Sequence, residues 1–215
     1  MNAHSKFLII ALLSVTTLGP VSAIASQENS RPATTLKGTA VAYPWAFRKG
    51  NRTARTLAIQ TVEEIAQRVG FSTVPVDVAQ ATWAKRKLRG PVYGQLPSRS
   101  TLQAYGRALG AKRVLYGSVA WHTRSIWVNL GPKTISTATV DVYVLDVASG
   151  KILFQNKKVQ GRSDEKSNGF KIAADILISP LVTAVSGGPA TPQEQRAVQI
   201  ALAMAYRKWV NPNGN

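Results

Sequence analysis

Apolar and polar positions change period several times along the chain, and each change predicts an element. In Lys37 to Tyr43, Thr39, Val41 and Tyr43 alternate with Gly38, Ala40 and Ala42, the pattern of a first strand that Pro44 should end. Beyond Gly50-Asn51, Leu57, Ala58, Val62, Ile65, Ala66 and Val69 recur three and four apart. That spacing makes one buried helical stripe, stopped by Gly70. Phe71 to Val78 reads as a second strand weakened by Pro75, and Asp77 as the cap of a helical element over 78–88. Gly90, Pro91, Gly94 and Pro97 mark a loop. A helix follows over 98–109, with Ser98 or Ser100 as N-cap and Gly110 as terminator.

The second half is richer in strands. Lys112 to Trp121 forms one, and Thr134 to Val147 a longer one. In the latter, Ala138, Val140, Val142 and Val144 face one way, and Thr137, Thr139, Asp141 and Tyr143 the other. Ser149-Gly150 turns it into a hairpin with Lys151 to Val159, and a polar loop covers 161–169. Residues 170–186 are apolar, with Ile172, Ile176, Leu177, Leu181 and Val185 at helical spacing and a break at Pro180. Core packing is the default reading of that segment. A partner-binding or peripheral membrane-surface helix, pivoting on Gly187-Gly188-Pro189, is the alternative. The last helix has Thr191 as N-cap, Pro192 at N1 and Glu194 at N3, a capping box, with Ala197, Ile200, Ala201, Met204 and Ala205 on one side. The order β-α-β-α-α-β-β-β-α predicts an α/β fold: a mixed sheet of about five strands with helices packed on it.

Residues 1–25 read differently. Lys6 precedes a short apolar run, and Gly19-Pro20 breaks it before Val21-Ser22-Ala23-Ile24-Ala25. This is the pattern of an export signal cleaved near Ala25 or Ala23, and the run is shorter than the roughly 20 apolar residues of a bilayer span. An uncleaved anchor is the competing reading. Residues 26–36 are then a polar, flexible linker, and 37–210 a single α/β domain. The expected location is the periplasm or the exterior.

Composition narrows the partners. The chain has 215 residues, 27 Lys and Arg against 10 Asp and Glu, a net charge of +17, and no Cys. Disulfides, thiolate metal sites and Cys nucleophiles are excluded. Removing residues 1–25 takes away Lys6 and no acid, so nearly all of the charge stays with the mature chain. It favours anionic partners: lipid phosphates, acidic glycans or acidic proteins of an envelope. Nucleic acid is not expected after export.

Two basic clusters stand out. Lys85, Arg86, Lys87 and Arg89 are the densest charge; a solvated helix end, where cations suit the dipole, explains them as simply as an anion-binding patch does. Trp83 and Tyr93 lie near them in sequence and are core aromatics or interfacial ones. Arg48, Lys49, Arg52 and Arg55 surround a helix start, where the dipole opposes cations. Their placement therefore requires some other compensation, which favours an anionic or acidic partner. Catalytic constellations are poor. His122 is the lone histidine after the leader; Asp141 and Asp146, five apart on one strand, point to opposite faces. Asp146 should accept backbone N–H bonds at the hairpin. Asp164-Glu165 is a weak calcium-like loop, and Ser149-Gly150-Lys151 a turn rather than a phosphate loop. No cofactor or metal is expected.

Three strings carry a family resemblance. Leu109-Gly110-Ala111 followed by Val114 to Val119, the hairpin Asp141 to Leu153, and Val41 to Phe47 entering the first helix resemble signatures of the curli-secretion-protein-like family. That family shares a fold with the amino-terminal domain of TolB and with the lipoprotein activators of peptidoglycan synthases. The chain departs from it by placing Lys112-Arg113 where an acid is usual and by lacking the lipid-bearing Cys. The resemblance implies a non-catalytic envelope module that binds or assembles by protein–protein contact, with self-association left open. Recognition of an anionic envelope glycan or lipid by the basic clusters is the second reading.

Overall fold

The computed structural model describes residues 37–48, 52–128, 131–164 and 191–211. The expected leader (1–25), the linker (26–36) and the apolar segment 170–186 lie outside the described residues. The elements are β1 (Thr39–Val41), β2 (Trp45–Phe47), α1 (Arg52–Arg68), β3 (Ser72–Thr73), α2 (Val76–Lys85), α3 (Arg99–Ala108), β4 (Arg113–Val128), β5 (Gly131–Asp146), β6 (Ile152–Arg162) and α4 (Pro192–Val210). They form the expected mixed α/β sheet, with six strands in place of about five.

The additional strand is a correction at Pro44. That residue has no N–H to give to a ladder, so pairing lapses around it. Yet the chain stays on the same edge. β1 pairs in parallel with β4 at Ala40↔Arg113 and Val41↔Val114, and β2 resumes at Trp45↔Gly117 through Phe47↔Val119. Trp45 and Ala46 are fully buried, so apolar packing carries the chain across the interruption. The expected second strand, 71–78, shrinks to β3, paired with β1 at Thr39↔Ser72. Pro75 serves as N-cap of α2, which places Asp77 in the first helical turn instead of at the cap.

β4 and β5 run well past the expected ends at Trp121 and Thr134 and pair without a break from Arg113↔Asp146 to Val128↔Gly131. The sheet order is β3-β1-β4-β5-β6, with β2 beside β1 on β4. Ala138, Val140, Val142 and Val144 are buried, and α4 packs on β5 and β6. Gly161 permits that approach, since a Cβ there would lie 2.7 Å from the Ala197 carbonyl. α1 packs against α4. On the other face, Gly106 brings α3 onto Val114 and Val147, and the Tyr105 hydroxyl donates to the Ala79 carbonyl at 2.8 Å, tying α3 to α2. Thr137, Thr139, Asp141 and Tyr143 sit half-buried on this second face, as their alternation predicts.

Local signals hold at four helix ends. Ser98 accepts from the Thr101 N–H at 3.2 Å. Gly70 and Gly110 follow their helices with φ of 89° and 63°. Thr191 and Glu194 form the reciprocal box at α4, the Thr191 N–H donating to Glu194 Oε2 at 2.9 Å.

Candidate functional site

β1, β2, β3 and β4 run parallel, and β2 delivers its carboxyl end directly to the N-terminus of α1. In open α/β sheets, ligands bind outside this end of the parallel strands. The loop after α2 returns to the same place. Val92 makes a parallel bridge to Phe47 and is closed by Gln95, whose N–H donates to the Val92 carbonyl at 2.8 Å. Tyr93 then lies under Arg48, with the guanidinium carbon 5.6 Å from the ring centroid. Arg55 stands 5.7 Å over Tyr43 and 5.6 Å over Phe47.

These rings supply the compensation that cations at a helix N-terminus require. The negative faces of Tyr43 and Phe47 attract Arg55 while the dipole repels it, and a cation–π contact contributes about 0.5–2 kcal/mol. Tyr43 shows the converse effect: burial pushes its hydroxyl pKa up, and the nearby Arg55 charge opposes that rise.

Arg48 also borders a recess of about 100 Å³ with Tyr93, Trp121, His122, Thr137 and Thr139. A guanidinium, an imidazole and two threonine hydroxyls on one small concavity present donors to an oxyanion of carboxylate size. Next along the same loop is a groove of about 410 Å³, lined by Trp83, Leu88, Arg89, Val92, Leu96 and Pro97 among others. Val92 is 60% exposed there. Cationic rims and an apolar floor thus adjoin.

Of the residues singled out in the sequence, Arg48 is exposed at this surface and Arg55 half-buried in it. Arg52 opens α1, and Lys49 lies outside the described residues. Arg89 lines the groove. Lys85 is in the last turn of α2, Arg86 is its C-cap and Lys87 follows with φ of 53°, all three exposed. Among the described residues none of these three forms an ion pair. Trp83 belongs to the core, edge-on to Tyr43 at 5.7 Å and to Tyr105 at 4.9 Å. Tyr93, near Arg89 in sequence, serves Arg48 in space. The contribution of His122 and the two threonines was not visible in the sequence, because it depends on β4 and β5 passing beside Arg48.

The carboxylates do structural work. Asp146 accepts from the Ser149 N–H at 2.9 Å and from its hydroxyl at 2.6 Å, and pairs with Arg113. Its pKa is lowered by the Ser149 bonds first and by Arg113 last. The unusual Lys112-Arg113 therefore includes the partner of the hairpin acid. Asp141, on the opposite face, accepts from the Ser118 hydroxyl at 3.0 Å and the Lys158 N–H at 2.7 Å.

No family model and no curated protein matches the chain. Solved structures do. The LpoB C-terminal domain from Salmonella enterica is 19% identical, over 61% of this chain and 85% of that one, with a TM-score of 0.39. Lipoprotein GNA1162 from Neisseria meningitidis is 15% identical, over 64% and 88%, with a TM-score of 0.44. LpoB from Escherichia coli is 16% identical, over 75% and 88%, with a TM-score of 0.42.

Proposed function

We propose that this chain is an exported cell-envelope binding or assembly module that acts by protein–protein contact and without catalysis, and that it takes an acidic segment of its partner at the carboxyl end of the parallel strands. One observation carries the reading: Val92 and Tyr93 dock on Phe47 and Arg48, which joins an arginine-edged recess to the apolar groove holding Arg89. A carboxylate of the partner sits by Arg48, His122 and the threonines, and an adjoining apolar side chain lies over Val92. The aromatic rings hold Arg48 and Arg55 in place before the partner arrives, so less side-chain entropy is lost on binding.

The test is capture from an envelope extract, comparing the wild type with an Arg48→Ser/Arg89→Ser variant. A defined protein should be retained at low salt, released at high salt and reduced about tenfold by the double substitution, a loss of ~1.4 kcal/mol. Equal retention by the variant would sink the proposal. Retention only of polysaccharide would replace the protein partner with an anionic glycan.

A further inference from the structure

We propose that the outer part of the β4–β5 ladder, at Arg124 to Val128 and Pro132 to Thr134, is a contact site for an anionic lipid surface, with Trp127 seated at headgroup depth and Arg124 and Lys133 beside lipid phosphates. The site is separate from the binding surface described above and rests on different residues.

Past Arg124 the two strands leave the body of the sheet. Arg124, Ser125, Trp127 and Val128 on one strand, and Pro132, Lys133 and Thr134 on the other, are all exposed. Four residue pairs past Arg124 at strand rise make an arm of about 14 Å. Trp127 is 83% exposed and Val128 46%. A large apolar ring is thus held in water at the far end of a projection, opposite Pro132 in the register, while Ile126 lies opposite Lys133.

The arm is anchored at its base. Ile135 and Ser136 are buried. The Thr123 and Ser136 hydroxyls are 2.8 Å apart, Thr123 reaches Glu194 at 3.2 Å, and the Ser136 N–H donates to Ser163 at 3.0 Å. The ring is therefore presented on a pinned support, and little ordering is needed when it binds.

Charge and the exposed ring select the occupant. The hairpin itself carries no acid, since the sequence has none between Asp77 and Asp141, so Arg124 and Lys133 offer positive charge to anionic headgroups, and Glu194 lies at the base of the arm rather than on it. Tryptophan favours the interface between headgroup and acyl chain, with its apolar body inward and its N–H near water. Pairing with a second copy along the bare strand edges is disfavoured by Pro132, which has no N–H, and by the two cations.

Sedimentation with vesicles of equal parts phosphatidylcholine and phosphatidylglycerol tests this, with pure phosphatidylcholine as control. The wild type should pellet with the anionic vesicles and not with the control. Trp127→Ala should reduce the bound fraction about tenfold, and Arg124→Glu/Lys133→Glu should abolish it. Wild-type emission minus that of Trp127→Phe should move to the blue on vesicle addition. Arg48→Ser/Arg89→Ser should still pellet, which separates this proposal from the binding surface. Unchanged pelleting of Trp127→Ala, circular dichroism confirming its fold, would overturn the proposal. So would a change from dimer to monomer in that variant without vesicle binding, which would assign the arm to self-association.

Discussion

At the residue scale, neighbours decide what a charge does. Arg55 tolerates the start of α1 because Tyr43 and Phe47 lie beneath it, and Asp146 stays ionised because Ser149 and Arg113 bond its carboxylate. Glu63 has the reverse setting. Burial on α1 raises its pKa to about 7. Between the unfolded carboxylate value, about 4.3, and 7 the folded chain holds a proton that the unfolded chain has released. Stability from this group therefore falls as pH rises through that window. Glu63→Gln cannot ionise and should remove the fall, raising stability by about 1–3 kcal/mol at pH ~8 and scarcely changing it at pH ~4. Urea midpoints at both pH values check this. Asp146 runs the other way: its contribution is present above the ordinary carboxylate pKa and is lost as acid protonates it. The Ser149 N–H bond to Asp146 was legible in the sequence, because it closes a turn within three residues; the Arg113 pairing and the rings beneath Arg55 were not, because they depend on atoms brought from another element.

At the element scale, legibility follows the range of the interactions. α4 was readable end to end, because Thr191, Pro192 and Glu194 act within one turn. Thr191→Ala should cost about 1 kcal/mol and lower the melting temperature, with the helix otherwise intact by circular dichroism. α1 and α3 were readable for the same reason, with their glycine stops and apolar stripes. The short extent of β3 within the expected strand and the outer β4–β5 arm were not. Ser72 and Thr73 form a strand because β1 lies alongside. The residues after Trp121 lack a core-facing alternation, since exposed strands are held by each other's backbones rather than by burial. Pro44 misled in the same way: its local chemistry breaks a ladder, while the packing of Trp45 restores one.

At the scale of the whole molecule, strands distant in sequence converge on Gly117. It pairs with Trp45 on one side and Val142 on the other. A Cβ there would overlap the Asp141 carbonyl and stand 2.9 Å from the Trp45 ring. Gly117→Val should therefore destabilise the entire sheet by about 3 kcal/mol or more and lower the denaturant midpoint as one cooperative transition. Independent loss of the hairpin alone would contradict that convergence. The candidate surface is a product of the same scale. Its cations were legible as two clusters, but their relation was not: α2 and the loop after it must turn back before Tyr93 meets Arg48 and Arg89 faces the groove.

The sequence by itself determined the α/β class, the helices with local caps, the two-faced alternation of β5 and the excess of positive charge. All of these follow from interactions within a few residues or from composition. Tertiary structure alone decided that β2 resumes after Pro44, that β4 and β5 project as an arm carrying Trp127, and that aromatic rings from two segments hold Arg48 and Arg55. Those outcomes depend on backbone pairing and desolvation between groups far apart in the chain, and such energies exist only once the sheet has brought the groups together.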